Sequence, residues 1–147
     1  NLKLNNIVLS TPAYLKFSLT PMQRIISAVK AKHPNTPITL FTKGGGQWLS
    51  AIAESGCDMV GLDWQTDIHM ARQQIGDQVA LQGNMDPTLL YTDPSVIRDE
   101  VARILAGFGQ GSGHVFNLGH GITPQVNPEH VSAMVEAVQQ ISPQYHR

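Results

Sequence analysis

The chain has 147 residues, 41% of them hydrophobic and 14% charged, with a formal net charge of −1. That is enough for one folded unit with its own core, and the charge balance excludes the basic footprint of a nucleic-acid binder. One cysteine, Cys57, excludes an internal disulfide, and no apolar run approaches the ~20 residues of a membrane span.

Asn1-Leu2-Lys3-Leu4-Asn5-Asn6 resembles neither a signal peptide nor an ordinary start. Residues 1–8 are therefore read as a leader, and residues 9–147 as the folded part of something longer. Residues 7–31 read as mostly helical. Ser10-Thr11-Pro12 is a start signal, and Tyr14, Leu15, Phe17, Ile25, Ile26 and Val29 form the apolar stripe. Pro21 inside that stretch either kinks one helix or starts a second.

Four strand–helix units follow. Ile38-Thr39-Leu40-Phe41 is a strand, followed by a helix with Trp48, Leu49, Ile52 and Ala53 on one face and Gly56 as its stop. Met59 to Leu62 is the second strand, and Thr66 or Asp67 caps a helix carrying Ile68, Ala71 and Ile75. Val79-Ala80-Leu81 is the third. Its helix is capped by Asp93, begins at Pro94, and places Ile97, Val101, Ile104, Leu105 and Phe108 on one face. His114 to Leu118 is the fourth strand. Asn127-Pro128 then opens a helix with Val131, Met134, Val135, Val138 and Ile141 inside. This alternation, with no hairpin signal, predicts an α/β fold of parallel strands joined by helical crossovers.

Parallel α/β sheets carry their sites at the carboxyl ends of the strands. Here those ends hold Thr42 and Lys43, then Asp63, then Gln82 with Asn84 and Asp86, then Asn117 and His120. His120 stands between Gly119 and Gly121, which permit a sharp turn and leave the ring uncovered. It reads either as a turn histidine bonded to a carbonyl, or as a carboxylate donor or proton shuttle at a rim. Asn84 and Asp86 are also compatible with a turn and a helix cap, and Lys43 with plain solvation. Gly44-Gly45-Gly46 suggests a phosphate nest, without Walker spacing. Gly107 to Gly113 follows a helix and precedes a strand, the reverse of a nucleotide loop, and is a connection. The six histidines contain neither H-x-H nor H-E-x-x-H, so no metal is expected. Cys57 precedes a strand, at the opposite rim, and is expected to pack.

Four strings resemble the uroporphyrinogen decarboxylase family in order and spacing. They are Thr39 to Leu49 (TLFTKGGGQWL), Gly61-Leu62-Asp63-Trp64, Val79 to Pro87 (VALQGNMDP) and Asn117 to Ile122 (NLGHGI). Tyr145-His146-Arg147 is similar to the end of bacterial members. The resemblance implies four consecutive βα units, the C-terminal half of a (β/α)8 TIM-type barrel. It implies an enzyme that decarboxylates the four acetate side chains of uroporphyrinogen III to give coproporphyrinogen III in haem biosynthesis, without a cofactor. Members are usually cytoplasmic homodimers, and the charge and hydropathy read above add no nucleic-acid or membrane partner. The family's histidine in its G-H-G turn contacts a substrate carboxylate, and His120 matches it. Gly119, Gly121, Lys43, Asp63 and Asn84 are its companions in the expected substrate site.

The resemblance covers only the second half of the family's chain. The arginine-rich first motif, the aspartate that collects the pyrrole N–H groups and the cleft tyrosine are absent, and Leu4 stands where a Ser/Thr is expected. This chain is thus expected to be inactive alone. Two rivals remain. A superfamily-related methyltransferase would need thiolates for its zinc, and Phe41-Thr42-Lys43 offers none. The other is a non-catalytic fragment that binds an anion at the rim.

Overall fold

The computed structural model describes residues 9–146, so the leader, Leu4 and Arg147 lie outside it. The first helical rod has three segments: α1 (Thr11–Tyr14), a π-helical turn (Leu15–Leu19) and α2 (Thr20–Lys32). Ser10 enters in extended geometry and Pro12 stands in the first turn. Pro21 neither breaks the rod nor starts a new one. Proline has no N–H for the residue-17 carbonyl, and its ring crowds that carbonyl in regular α geometry. The wider π turn absorbs both effects, with the Thr20 N–H and hydroxyl both donating to the Leu15 carbonyl. The same turn shifts the helical phase. The buried residues are Tyr14, Leu19 and Ile26, while Phe17 and Ile25 of the expected stripe are 61% and 64% exposed.

Four strands, β1 (Thr39–Phe41), β2 (Met59–Gly61), β3 (Ala80–Gln82) and β4 (His114–Val115), form one sheet in the order β1-β2-β3-β4. All three pairings are parallel, and Leu40, Val60 and Leu81 stand in line across the first three strands. β4 is shorter than the sequence suggests. The Gly83 and Met85 N–H groups still donate to the Val115 and Asn117 carbonyls, but the Gly83 carbonyl is taken by the His114 ring, so the next regular pairing is a Met85–Leu118 bridge.

The crossover helices are α3 (Leu49–Ala53), α4 (Ile68–Ile75), α5 (Pro94–Phe108) and α6 (Pro128–Ile141). They pack side by side in sequence order. A short 3₁₀ turn, Gly45–Trp48, leads into α3, and another, Pro87–Tyr91, precedes α5. Asp67 and Asn127 cap α4 and α6 through their side chains. The core lies between this helical layer and one face of the sheet. Leu40, Val60, Leu81, Ile52, Ala71, Ile75, Ile97, Val101, Ile104, Leu105 and Phe108 are all buried there, as is Cys57. Val135 of α6 is 44% exposed, contrary to the sequence reading; Ala137 and Ile141 take the inner positions.

Among the described residues, nothing covers the other face of the sheet. Phe41 and Val115 point to it and are 46% and 43% exposed. Sequential parallel strands normally lie covered on both faces. The concave side here is the one that the remaining strands of a closed barrel would cover.

Candidate active site at the strand ends

The carboxyl ends of the strands meet at one rim, and Asp63 organises it. Its carboxylate is buried. It accepts hydrogen bonds from the Gly44 N–H, the Gln65 N–H at 3.2 Å and the Thr66 hydroxyl at 3.0 Å. The loop after β1 is thereby tied to the loop after β2. Gly44 adopts a left-handed conformation, φ 73°, to present its amide. The Gly44 and Gly45 amides are therefore not free for an external anion: the first meets Asp63 and the second the Thr42 carbonyl. Asn84, also buried, adds the third loop, its amide donating to the carbonyls of Asp63 at 2.7 Å and Thr66 at 2.5 Å. Asp63 and Asn84 thus brace the rim rather than project from it, a division of labour that strand-end position alone does not reveal. Asp86 is a helix cap, accepting from the Thr88 N–H and hydroxyl, each at 2.8 Å.

His120 differs. It is exposed, and it borders a groove of about 500 Å³ along the concave face, with Phe41, Gly61, Gln82, Asn117 and Met134 among the other walls. The imidazoles that do bond carbonyls stand elsewhere: His69 to Gly107, His114 to Gly83, His130 to Leu90 and His146 to Gly111. The His120 ring meets the Trp64 indole in an edge arrangement, centroids 5.9 Å apart at 87°. Lys43 sets its ammonium 5.0 Å from the same indole centroid. His120, Trp64 and Lys43 therefore form one array across three strand ends. The sequence reading names Trp64 only as part of the Gly61-Leu62-Asp63-Trp64 string and gives it no role; a tryptophan directly after a strand-end aspartate is the signal that points to it.

The two glycines beside His120 act differently from the sequence reading. Neither has a positive φ. A Cβ on Gly119 would stand 2.4 Å from the Trp64 amide nitrogen, so glycine lets this turn lie flush on the Asp63–Trp64 backbone. A Cβ on Gly121 would meet nothing within 4 Å. That side faces the open groove.

Two further clusters support the rim. Tyr14 stacks on Trp48 at 3.8 Å and bonds the Thr42 hydroxyl at 3.0 Å, fastening the first helical rod to the end of β1. Burial pushes the Tyr14 phenol up, and the bond to Thr42 opposes that. Behind the sheet, His114 stacks on Phe108 and donates from Nε2 to the Gly83 carbonyl at 2.9 Å. Burial holds its pKa below the ordinary histidine value; the carbonyl opposes this and nearby His146 adds to it. Among the described residues, no three His, Cys, Asp or Glu side chains gather as metal ligands. Among the same residues, no helix is long and apolar enough to cross a membrane.

The sequence model of uroporphyrinogen decarboxylase (URO-D) matches residues 4–141. The chain belongs to the uroporphyrinogen decarboxylase family. A uroporphyrinogen decarboxylase from Saccharophagus degradans is 59% identical over 141 residues, covering 95% of this chain and 40% of that protein. One from Salmonella agona is 60% identical with the same coverage. The chain thus spans about 40% of the length of the curated relatives it matches. Among solved structures, a methyltransferase from Methanosarcina mazei superposes with a TM-score of 0.77 at 24% identity, over 92% of this chain and 39% of the other. That likeness concerns the fold: four consecutive βα units of a (β/α)8 barrel.

Proposed function

We propose that this chain is the C-terminal part, residues 9–147, of a uroporphyrinogen decarboxylase. The complete protein would remove carboxyl groups from the four acetate side chains of uroporphyrinogen III, giving coproporphyrinogen III. The observation that carries the reading is an exposed imidazole, His120, on the rim of a groove in a chain that matches this family over 4–141.

The substrate is a polyanion, so the protein must bind carboxylates and supply a proton. His120 suits the first task, since an exposed imidazole N–H can donate to a carboxylate. The chemistry needs no external electron sink. A proton adds to a pyrrole carbon, and the ring becomes an iminium. The bond between the acetate methylene and its carboxylate breaks, CO₂ leaves, and the electron pair passes into the ring system. A second proton converts the exocyclic carbon to methyl, and loss of the first restores the pyrrole. Each step consumes one carboxylate and one proton net, and this balance is why no cofactor is invoked.

The groove is open where the other βα units of a closed barrel would stand, so this chain supplies one wall of the pocket. By itself it is inactive, and the complete protein acts as a cytoplasmic homodimer. The test is a decarboxylation assay on the chain alone, on the chain mixed with the complementary part of the barrel, and on the full-length protein. Turnover in the second and third samples but not in the first is expected. A full-length protein that leaves uroporphyrinogen III unchanged would remove the reading.

A further inference from the structure

Trp64 is a large side chain at the rim that touches two of the candidate ligand groups at once. Its indole meets the His120 ring at 5.9 Å and 87°, and carries the Lys43 ammonium 5.0 Å from its centroid. Its own backbone is held from both sides. Asp63, immediately before it, is buried and receives three hydrogen bonds, while Gly119 packs directly on the Trp64 amide. The indole thus stands on a braced loop, whereas Lys43 and His120 sit at the ends of a flexible stem and an open turn. A cation over an indole face and an aromatic edge contact each favour one orientation of the partner.

We propose that Trp64 is a positioning residue: it holds the Lys43 ammonium and the His120 imidazole in fixed places at the mouth of the groove, so that both meet the carboxylates of an anionic substrate without first being ordered. This rests on the proposed decarboxylase function. Preorganisation of this kind acts on substrate binding, because the side-chain entropy is lost before the ligand arrives. It also makes the three residues a unit, so their substitutions should not add.

The experiment uses the full-length protein containing this chain, with uroporphyrinogen III as substrate. Trp64→Ala should raise KM by roughly five- to tenfold with kcat within about twofold, the scale of one cation–π and one edge contact. Trp64→Phe, which keeps an aromatic face, should recover most of that loss. In the double variant with His120→Ala, Trp64→Ala should raise KM by clearly less than it does alone, by no more than about threefold, because only its hold on Lys43 is left to lose. A structural readout runs beside it: the imidazole NMR resonances of His120 should lose their ring-current shift in Trp64→Ala and keep much of it in Trp64→Phe. An unchanged KM in Trp64→Ala, or full additivity with His120→Ala, would overturn the inference. An inactive wild-type protein would instead overturn the decarboxylase reading, and the His120 resonances would still report whether Trp64 positions that ring.

Discussion

At the residue scale, chemical type and strand-end position single out more groups than the rim leaves free. Asp63 and Asn84 have the polarity of ligand groups, but both are buried and engaged by neighbouring loops. Truncating Asp63 strands the Gly44 and Gln65 amides and the Thr66 hydroxyl. Asp63→Ala should therefore destabilise the protein by about 2–4 kcal/mol in urea unfolding, and a change below the error of that measurement would refute the bracing role. Gly119 and Gly121 offer a matched contrast. Gly119→Ala drives a methyl into the Trp64 amide and should lower stability by roughly 1–3 kcal/mol. Gly121→Ala should stay within about 0.5 kcal/mol of the parent, while weakening substrate binding, since its open side faces the groove. Equal stability losses for the two would show that the turn does not rest on the Trp64 amide.

At the scale of elements, periodicity reports which face a helix buries as long as the helix is regular. α5 is regular over fifteen residues, and Ile97, Val101, Ile104, Leu105 and Phe108 are all buried as its pattern requires. Ile104→Ala should cost roughly 2–5 kcal/mol, because its neighbours on α5 close only part of the cavity. The first rod defeats the same reasoning. Its π turn changes the phase at Leu15–Leu19, so Phe17 and Ile25 emerge on the solvent side. Pro21 signalled a disturbance there, but not which of several accommodations the chain adopts. Strand ends were legible to within a residue or two where a charged or polar residue interrupts an apolar run. β4 was not, because its end depends on Gly83 of the neighbouring strand. The element pair β4–α5 also carries a pH dependence. His114 has a depressed pKa in the folded state, chiefly from burial. The unfolded chain takes up this proton first, so the associated stability is complete above about pH 6.5 and is lost as pH falls towards the lower folded value. Unfolding midpoints measured from pH 7.5 down to 5 should decline, and His114→Phe should flatten that decline. A parallel decline in the variant would assign it to other groups.

For the molecule as a whole, the order of the strands and their common direction followed from four repeats of strand then helix, and the sheet order β1-β2-β3-β4 is the simplest outcome of that repeat. What no local pattern reveals is the state of the inner face. Phe41, Val115 and the groove walls sit on strands that read as fully buried, yet they are open to solvent in this chain. Among the described residues, the outer edges of β1 and β4 have no strand partner. The chain on its own should therefore self-associate or unfold at low denaturant, and light scattering that returned a stable, well-folded monomer would count against this. The candidate site divides in the same way. His120 was recognisable from its glycine-flanked turn at a strand end, whereas the Trp64 array arises only when separate loops converge. The most direct test of the central claim, that these loops present His120 to a substrate carboxylate, is kcat/KM for uroporphyrinogen III decarboxylation by the full-length protein with and without His120→Ala. The substitution should lower kcat/KM by about tenfold or more, the scale of one charge-assisted hydrogen bond to a carboxylate; an unchanged value would show that His120 does not meet the substrate carboxylate.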